Sequence, residues 1–282
     1  MRLLRFLICI ALPIFTGAAH AETDLKGLAV SITAKAHTNT EKVKAVITWA
    51  HGNLNWLATD YEERTVQQIL ARKGGNCDDN ARVVVALLDV LNVKNRRTHE
   101  INIQPESKER EANAEAMVAK MGPKASVFGG RHNDHVWVEY WDEQRNEWAP
   151  ADSTLNLVGY DEWIRARMGF GARIDSDVIA SRDMIVPIAV FAIVRTPTGS
   201  VLEDRSERYL IKGFAETIPE AARAPEWDRW VHDVIDLQPK AKGAMEGTHN
   251  LHEDGDEIDA MLDIYERIKN SAGAPTGIKA GF

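Results

Sequence analysis

Two rhythms of apolar and polar residues divide this chain. From Glu22 to about Trp56, Val43, Val46, Ile47 and Ala50 recur at i, i+3, i+4 and i+7, which predicts helix, with Glu41 and Lys42 near its start. Arg64 to Arg72 reads as a short helix with Val66, Ile69 and Leu70 on one side, broken by Gly74-Gly75. Between Asn76 and Leu91 the stripe Ala81, Val84, Val85, Leu88, Leu91 predicts a strongly amphipathic helix. Asn76 can cap it, Asp78 and Asp79 suit its first turn, and Asn92 can take the left-handed stop conformation.

A period of two then takes over. Arg96 to Ile103 alternates Thr98, Glu100 and Asn102 against His99, Ile101 and Ile103. His135 to Trp141 (HVWVEYW) predicts a strand, Asp142 to Arg145 a turn, and Asn146 to Asp152 the return strand. Between these, Glu106 to Met121 reads as a charged helical insertion with a solvated face, and Gly122 to Gly130 as a loop. Further on, Tyr160 to Ala166 reads as helix, Met184 to Val194 as a buried strand and Val201 to Phe214 as an amphipathic hairpin arm. Glu226 to Leu237 reads as helix with Trp227 and Trp230 as packing residues, Pro239 to His252 as loop and Gly255 to Lys269 as a final helix. A loose Gly/Ala-rich tail follows from about 271, and no internal repeat is visible.

Composition narrows the partners. With 282 residues, 44% of them hydrophobic and 27% charged, the chain falls in the ordinary globular range. Its 34 Lys+Arg against 42 Asp+Glu give a net charge of −8, the wrong sign for nucleic acid. Two cysteines cannot build a disulfide framework. The first 21 residues have the form of a signal peptide: Arg2 and Arg5, an apolar run from Leu3 to Phe15, and Ala19-His20-Ala21 as cleavage site. Cleavage removes Cys9, leaves Cys77 as the one thiol and takes the net charge to about −10. No later segment is long and apolar enough to span a bilayer, so no stable membrane insertion is expected after cleavage. The expected location is the periplasm or the exterior, where a lone thiol must be buried or used.

Cys77 falls in the first turn of its predicted helix, where unpaired N–H groups and the helix dipole favour thiolate and could hold an oxyanion. Asp78 and Asp79 oppose this, so a base is needed. The hairpin offers one. If Asp142 to Arg145 is the turn, Trp141 pairs with Asn146 and His135 lies directly opposite Asp152, close enough for the carboxylate to orient the imidazole. A slip of one residue would turn Asp152 to the other face.

These residues resemble a family. GGNCDDNARVVVALLDVLNV, DHVWVEYW and NEWAPADST are similar to the transglutaminase-like superfamily of papain-like cysteine enzymes, in an exported bacterial form. Gly75, Cys77, Ala81, Leu87-Leu88, His135, Trp137, Trp148 and Asp152 carry the match, over roughly Lys42 to Thr154. Asn80 and Asn92 depart from the family's usual aromatic or His and turn glycine. The resemblance implies an α+β fold in which N-terminal helices, with the nucleophile helix among them, pack on an antiparallel sheet. It divides the chain into a signal peptide (1–21), a transglutaminase-like domain (22–196) and a C-terminal extension (197–282) packed on the core. It implies Cys77 as nucleophile, His135 as base then acid, Asp152 as orienter, and Trp56 and Trp137 as substrate contacts. The implied reaction is acyl transfer at an amide of an envelope peptide or protein, hydrolysis favoured over amine cross-linking, without cofactor or metal. The other class considered is a catalytically silent module that binds an envelope component in the same cleft. A metal at His132, Asp134 and His135 is disfavoured because i and i+3 on a strand face opposite sides, and His249, His252, Glu253, Asp254 and Asp256 read as a solvated loop.

Overall fold

The computed structural model describes residues 24–56, 63–103, 132–170 and 186–273. The expected signal peptide, the helix expected over Glu106–Met121 with the loop expected after it, and the last part of the expected tail lie outside the described residues.

The N-terminal apolar periodicity resolves into two helices, α1 (Leu25–Ile32) and α2 (Asn39–Asn53), because Thr38 and Glu41 form a capping box that restarts the helix. A second box, Thr65 with Gln68, starts α3 (Val66–Arg72). Gly74-Gly75 does more than break α3: it forms β2 (Gly74–Gly75), paired in parallel with β1 (Asn55–Trp56). The helix that carries Cys77, α4 (Cys77–Val90), follows, capped by the Asn76 side chain on the Asp79 N–H. Asn92 sits at φ 56, the left-handed stop expected of it.

The main sheet, six strands among the described residues, runs β6-β5-β4-β3-β7-β8 with every neighbouring pair antiparallel. Its strands are β3 (Asn95–Ile103), β4 (His132–Asp142), β5 (Glu147–Asp152), β6 (Leu157–Val158), β7 (Val186–Thr196) and β8 (Gly199–Asp204). The boundary expected near 196 falls inside the β7–β8 hairpin.

Helices cover both faces. Val136, Val138 and Tyr140 of β4 pack with α1 to α4, while Trp137 packs with the helices that follow β5. Those are α5 (Tyr160–Arg167), α6 (π-wound over Glu207–Gly213, regular over Phe214–Thr217), α7 (Trp227–Glu246) and α8 (Gly255–Ser271). Two expectations fail here. The arm expected over Val201–Phe214 is strand only to Asp204, where Asp204 accepts from the Ser206 N–H and turns the chain into α6. The loop expected from Pro239 is helix to Glu246: Pro239 lacks the N–H that would reach Ile235, which is half exposed, while Ala241, Gly243 and Ala244 beyond it are buried. Trp230 is fully buried and donates to the Leu210 carbonyl, the packing role expected of it.

Candidate active site

Local rules place Cys77. Lys73 ends α3 in the left-handed conformation, and Gly74 follows at φ +136, where a Cβ would sit 2.0 Å from the Asn55 carbonyl oxygen. Trp56 pairs through its backbone with Gly75, two residues before the thiol; its side chain lies outside the description. A Cβ on Gly75 would fall 2.2 Å from the Asp79 carboxylate, so the Gly-x-Cys spacing makes room for Asp79 to fold back under the turn. Cys77 itself is half-buried at the first position of α4.

The acidic pair beside the thiol is neutralised. Asp78 binds Arg82 at 2.9 Å and Arg97 at 2.5 Å. Burial pushes the Asp78 carboxyl up, but Arg97, Arg82 and His99 outweigh it and hold it below the usual carboxylate range. Asp79, 1% exposed, pairs with Arg64 at 3.2 Å. The like-charge repulsion expected at the helix start is thereby removed by three arginines.

His135 Nε2 lies 2.7 Å from Asp152 Oδ2. Their register differs from the expected one by two. Trp141 pairs with Trp148, and the turn is Glu143 to Asn146. The cause is Asp142, whose Oδ1 accepts from the Gln144 and Arg145 N–H groups while its backbone still pairs with Glu147. Asn146 closes the turn at φ 54. A shift of two keeps Asp152 on the His135 face but sets it diagonally rather than directly opposite. The other carboxylate oxygen, Oδ1, accepts from the backbone N–H of Thr154 at 2.8 Å and of Leu155 at 3.4 Å. Asp152 is fully buried, and its two oxygens thus have fixed and separate tasks.

Burial alone would lower the His135 pKa; the Asp152 charge and hydrogen bond, with a further hydrogen bond and charge from Cys77, overcome this and raise it to about 10. With Nε2 committed to Asp152, Nδ1 is the nitrogen left for the thiol. Trp137 does not line a substrate-facing wall. It is 1% exposed, because its ring lies 5.9 Å from His135 and is enclosed by Trp163 and Tyr209. Its place is behind the imidazole, as packing.

Sequence reasoning missed five groups around this site: Arg64, Arg82 and Arg97 on the acidic pair, and the buried pair of Glu100 with Arg167. Glu100 and Asn102, which share one face of the alternating strand, are both fully buried. Among the described residues no group of three or more His, Cys, Asp or Glu side chains is placed to hold a metal ion. The His249 ring binds Asp254 at 2.6 Å, and Asp254 binds Lys240 at 3.0 Å, so that cluster ties α7 to the start of α8.

Residues 26–153 match the family model of the transglutaminase-like superfamily, a little under half of the chain. The matched span ends one residue past Asp152 and contains Cys77 and His135. The fold is accordingly an α+β fold with a transglutaminase-like domain. No curated protein matches the chain in sequence. Among solved structures, it is similar to a protein from Cytophaga hutchinsonii proposed to be a cysteine protease, with 16% identity and a TM-score of 0.32 over 48% of this chain and 39% of that one. A proposed protease from Parabacteroides distasonis shows 12% identity and a TM-score of 0.33 over 63% and 26%. LapG of Legionella pneumophila shows 13% and 0.29 over 69% and 94%. The chain thus spans well under two thirds of the length of the first two.

Proposed function

We propose that this protein is an exported cysteine enzyme that transfers the acyl group of an amide, with water as the favoured acceptor. The observation that carries the reading is the convergence of Cys77, His135 and Asp152: a thiol at a helix start, near enough to an imidazole to raise its pKa, and that imidazole's Nε2 held 2.7 Å from a fully buried carboxylate. Cys77 forms the bond to the amide carbon, its proton passing to His135. The first-turn N–H groups of α4 face the developing oxyanion. His135 then returns the proton to the leaving amine, leaving a thioester on Cys77, and next takes a proton from the water that cleaves it. Asp152 holds the ring and stabilises the imidazolium. Pairing of Asp78 and Asp79 with arginines supports the reading, since it leaves the helix dipole unopposed at the thiol.

The basic, apolar and small-residue pattern of the first 21 residues supports export, and with it an envelope peptide or protein as substrate. Hydrolysis is favoured over cross-linking because water is abundant. A silent binding module would need an aromatic platform, and the burial of Trp137 removes one of the two expected.

The test is capture of the acyl intermediate: peptides from envelope extracts, and casein peptides in parallel, are quenched in acid and Cys77 is examined by mass spectrometry, with Cys77→Ala as blank. An acyl mass on Cys77 that decays with peptide release is expected. No adduct and no turnover of either peptide set, with ligand still bound by Cys77→Ala, would reverse the conclusion in favour of a binding module.

A further inference from the structure

The imidazole has a carboxylate on each flank. Asp152 approaches from β5, while on the other side the β3–β4 register pairs Glu100 directly with His135. Residues so paired share a face with Cβ atoms about 4.5–5.5 Å apart. Glu100 is fully buried, yet Asp152 is the carboxylate that holds the ring. Glu100 is occupied elsewhere. Its Oε2 accepts from Arg167 Nε at 3.1 Å, its Oε1 from Asn102 Nδ2 at 2.7 Å, and a second guanidinium nitrogen of Arg167 closes the ion pair.

Arg167 is the last residue of α5, 3% exposed, and lies beyond the matched 26–153 span. Burial pushes its guanidinium down to about 9, against the opposing influence of Cys77 and Tyr265, so its charge is within electrostatic reach of the thiol. A buried ion pair is poor at stabilising a fold, because desolvation consumes most of the attraction and apolar residues of similar volume often do as well. Its position beside the imidazole gives this one another use.

We propose that Arg167 is a positioning residue for the Cys77–His135 pair: by clamping Glu100 it keeps that carboxylate off the imidazole and leaves Asp152 as the ring's single carboxylate partner. The proposal rests on the reading of Cys77 and His135 as nucleophile and base. Without Arg167, Glu100 becomes a buried acid beside the ring with no cation, held only by Asn102. As an anion it draws the imidazolium away from the thiol; after taking a proton it donates to the ring nitrogen that the thiol needs. Both outcomes slow the thiol, and the first also moves the pH at which it reacts. Residues beyond the core match thereby contribute to the site.

The experiment is the pH profile of Cys77 labelling by iodoacetamide in the full chain, for wild type, Arg167→Met, Glu100→Gln/Arg167→Met and His135→Ala. Arg167→Met is expected to label roughly tenfold more slowly at neutral pH, with the half-maximal point displaced upward by about one pH unit, the size expected when one nearby charge is removed. The double variant, which removes both charges but keeps an acceptor for Asn102, is expected to return rate and profile to within about threefold of wild type. A wild-type profile in Arg167→Met would overturn the proposal, and so would a double variant as impaired as the single. Should Arg167→Met fail to fold, the double variant decides alone: a near-native profile supports the clamp and a displaced one rejects it. Equal labelling of wild type and His135→Ala would instead defeat the parent reading, and this proposal with it.

Discussion

Replacing Asp152 with Asn changes one atom and should disable the site. Asp152 Oδ1 accepts from two backbone N–H groups, Thr154 and Leu155, so in Asp152→Asn the amide oxygen must take that place. The amide NH₂ then faces His135 Nε2 where a carboxylate oxygen lay 2.7 Å away. It donates to Nε2, which fixes the ring proton on Nδ1 and denies the thiol its acceptor. The magnitude follows from the imidazolium. The His135 pKa of about 10 stands roughly 3.5 units above an ordinary histidine, which at 1.36 kcal/mol per unit puts the combined effect of its partners at ~5 kcal/mol or more, since burial acts against them. Cys77 supplies part of this, so the loss of Asp152 alone costs about 2–4 kcal/mol, or roughly 30- to 1,000-fold in labelling of Cys77 near neutral pH. The assay is the second-order rate of iodoacetamide labelling, with ¹⁵N-histidine spectra to read the tautomer. Labelling of Asp152→Asn within about threefold of wild type, or an Nε2–H tautomer in that variant, would refute the reasoning.

Three further outcomes are expected. Gly74→Ala puts a Cβ 2.0 Å from the Asn55 carbonyl at a φ of +136, and should lower the stability read from urea midpoints by about 2–4 kcal/mol, with little recovery in Gly74→Ser. Arg64→Met leaves Asp79 buried without its cation, and should cost roughly 3–5 kcal/mol in the same measurement. The third is a pH dependence: His135 is raised in the folded state, so its contribution is fully present below about pH 6.5 and is lost as the pH climbs through about 10. Urea midpoints should therefore decline over that window in wild type, and the decline should shrink markedly in Asp152→Ala.

What the sequence reveals about this site is what local chemistry determines. The helix that carries Cys77 is legible because its cap, first-turn acids and apolar stripe lie within sixteen residues of one another, and each acts on its neighbours. The hairpin is legible in parity but not in register, since Asp142 both pairs with Glu147 and caps the turn through its side chain, and no pattern of apolar residues encodes that. The buried charges were hidden for a different reason. Glu100 finds Arg167 across 67 residues and Glu139 finds Arg205 across 66, so the partner that makes burial tolerable is invisible from either position. Pro239 misleads similarly: its local cost is real, but the buried residues after it decide the outcome.

The central claim is that Cys77 reacts because His135 takes its proton. Its most direct test is the rate of iodoacetamide labelling of Cys77 near neutral pH in wild type and in His135→Ala, set against a free thiol peptide. The structure predicts rapid labelling in wild type and at least a roughly tenfold loss in His135→Ala. Labelling of wild type no faster than the peptide, and indifferent to the His135 change, would contradict it.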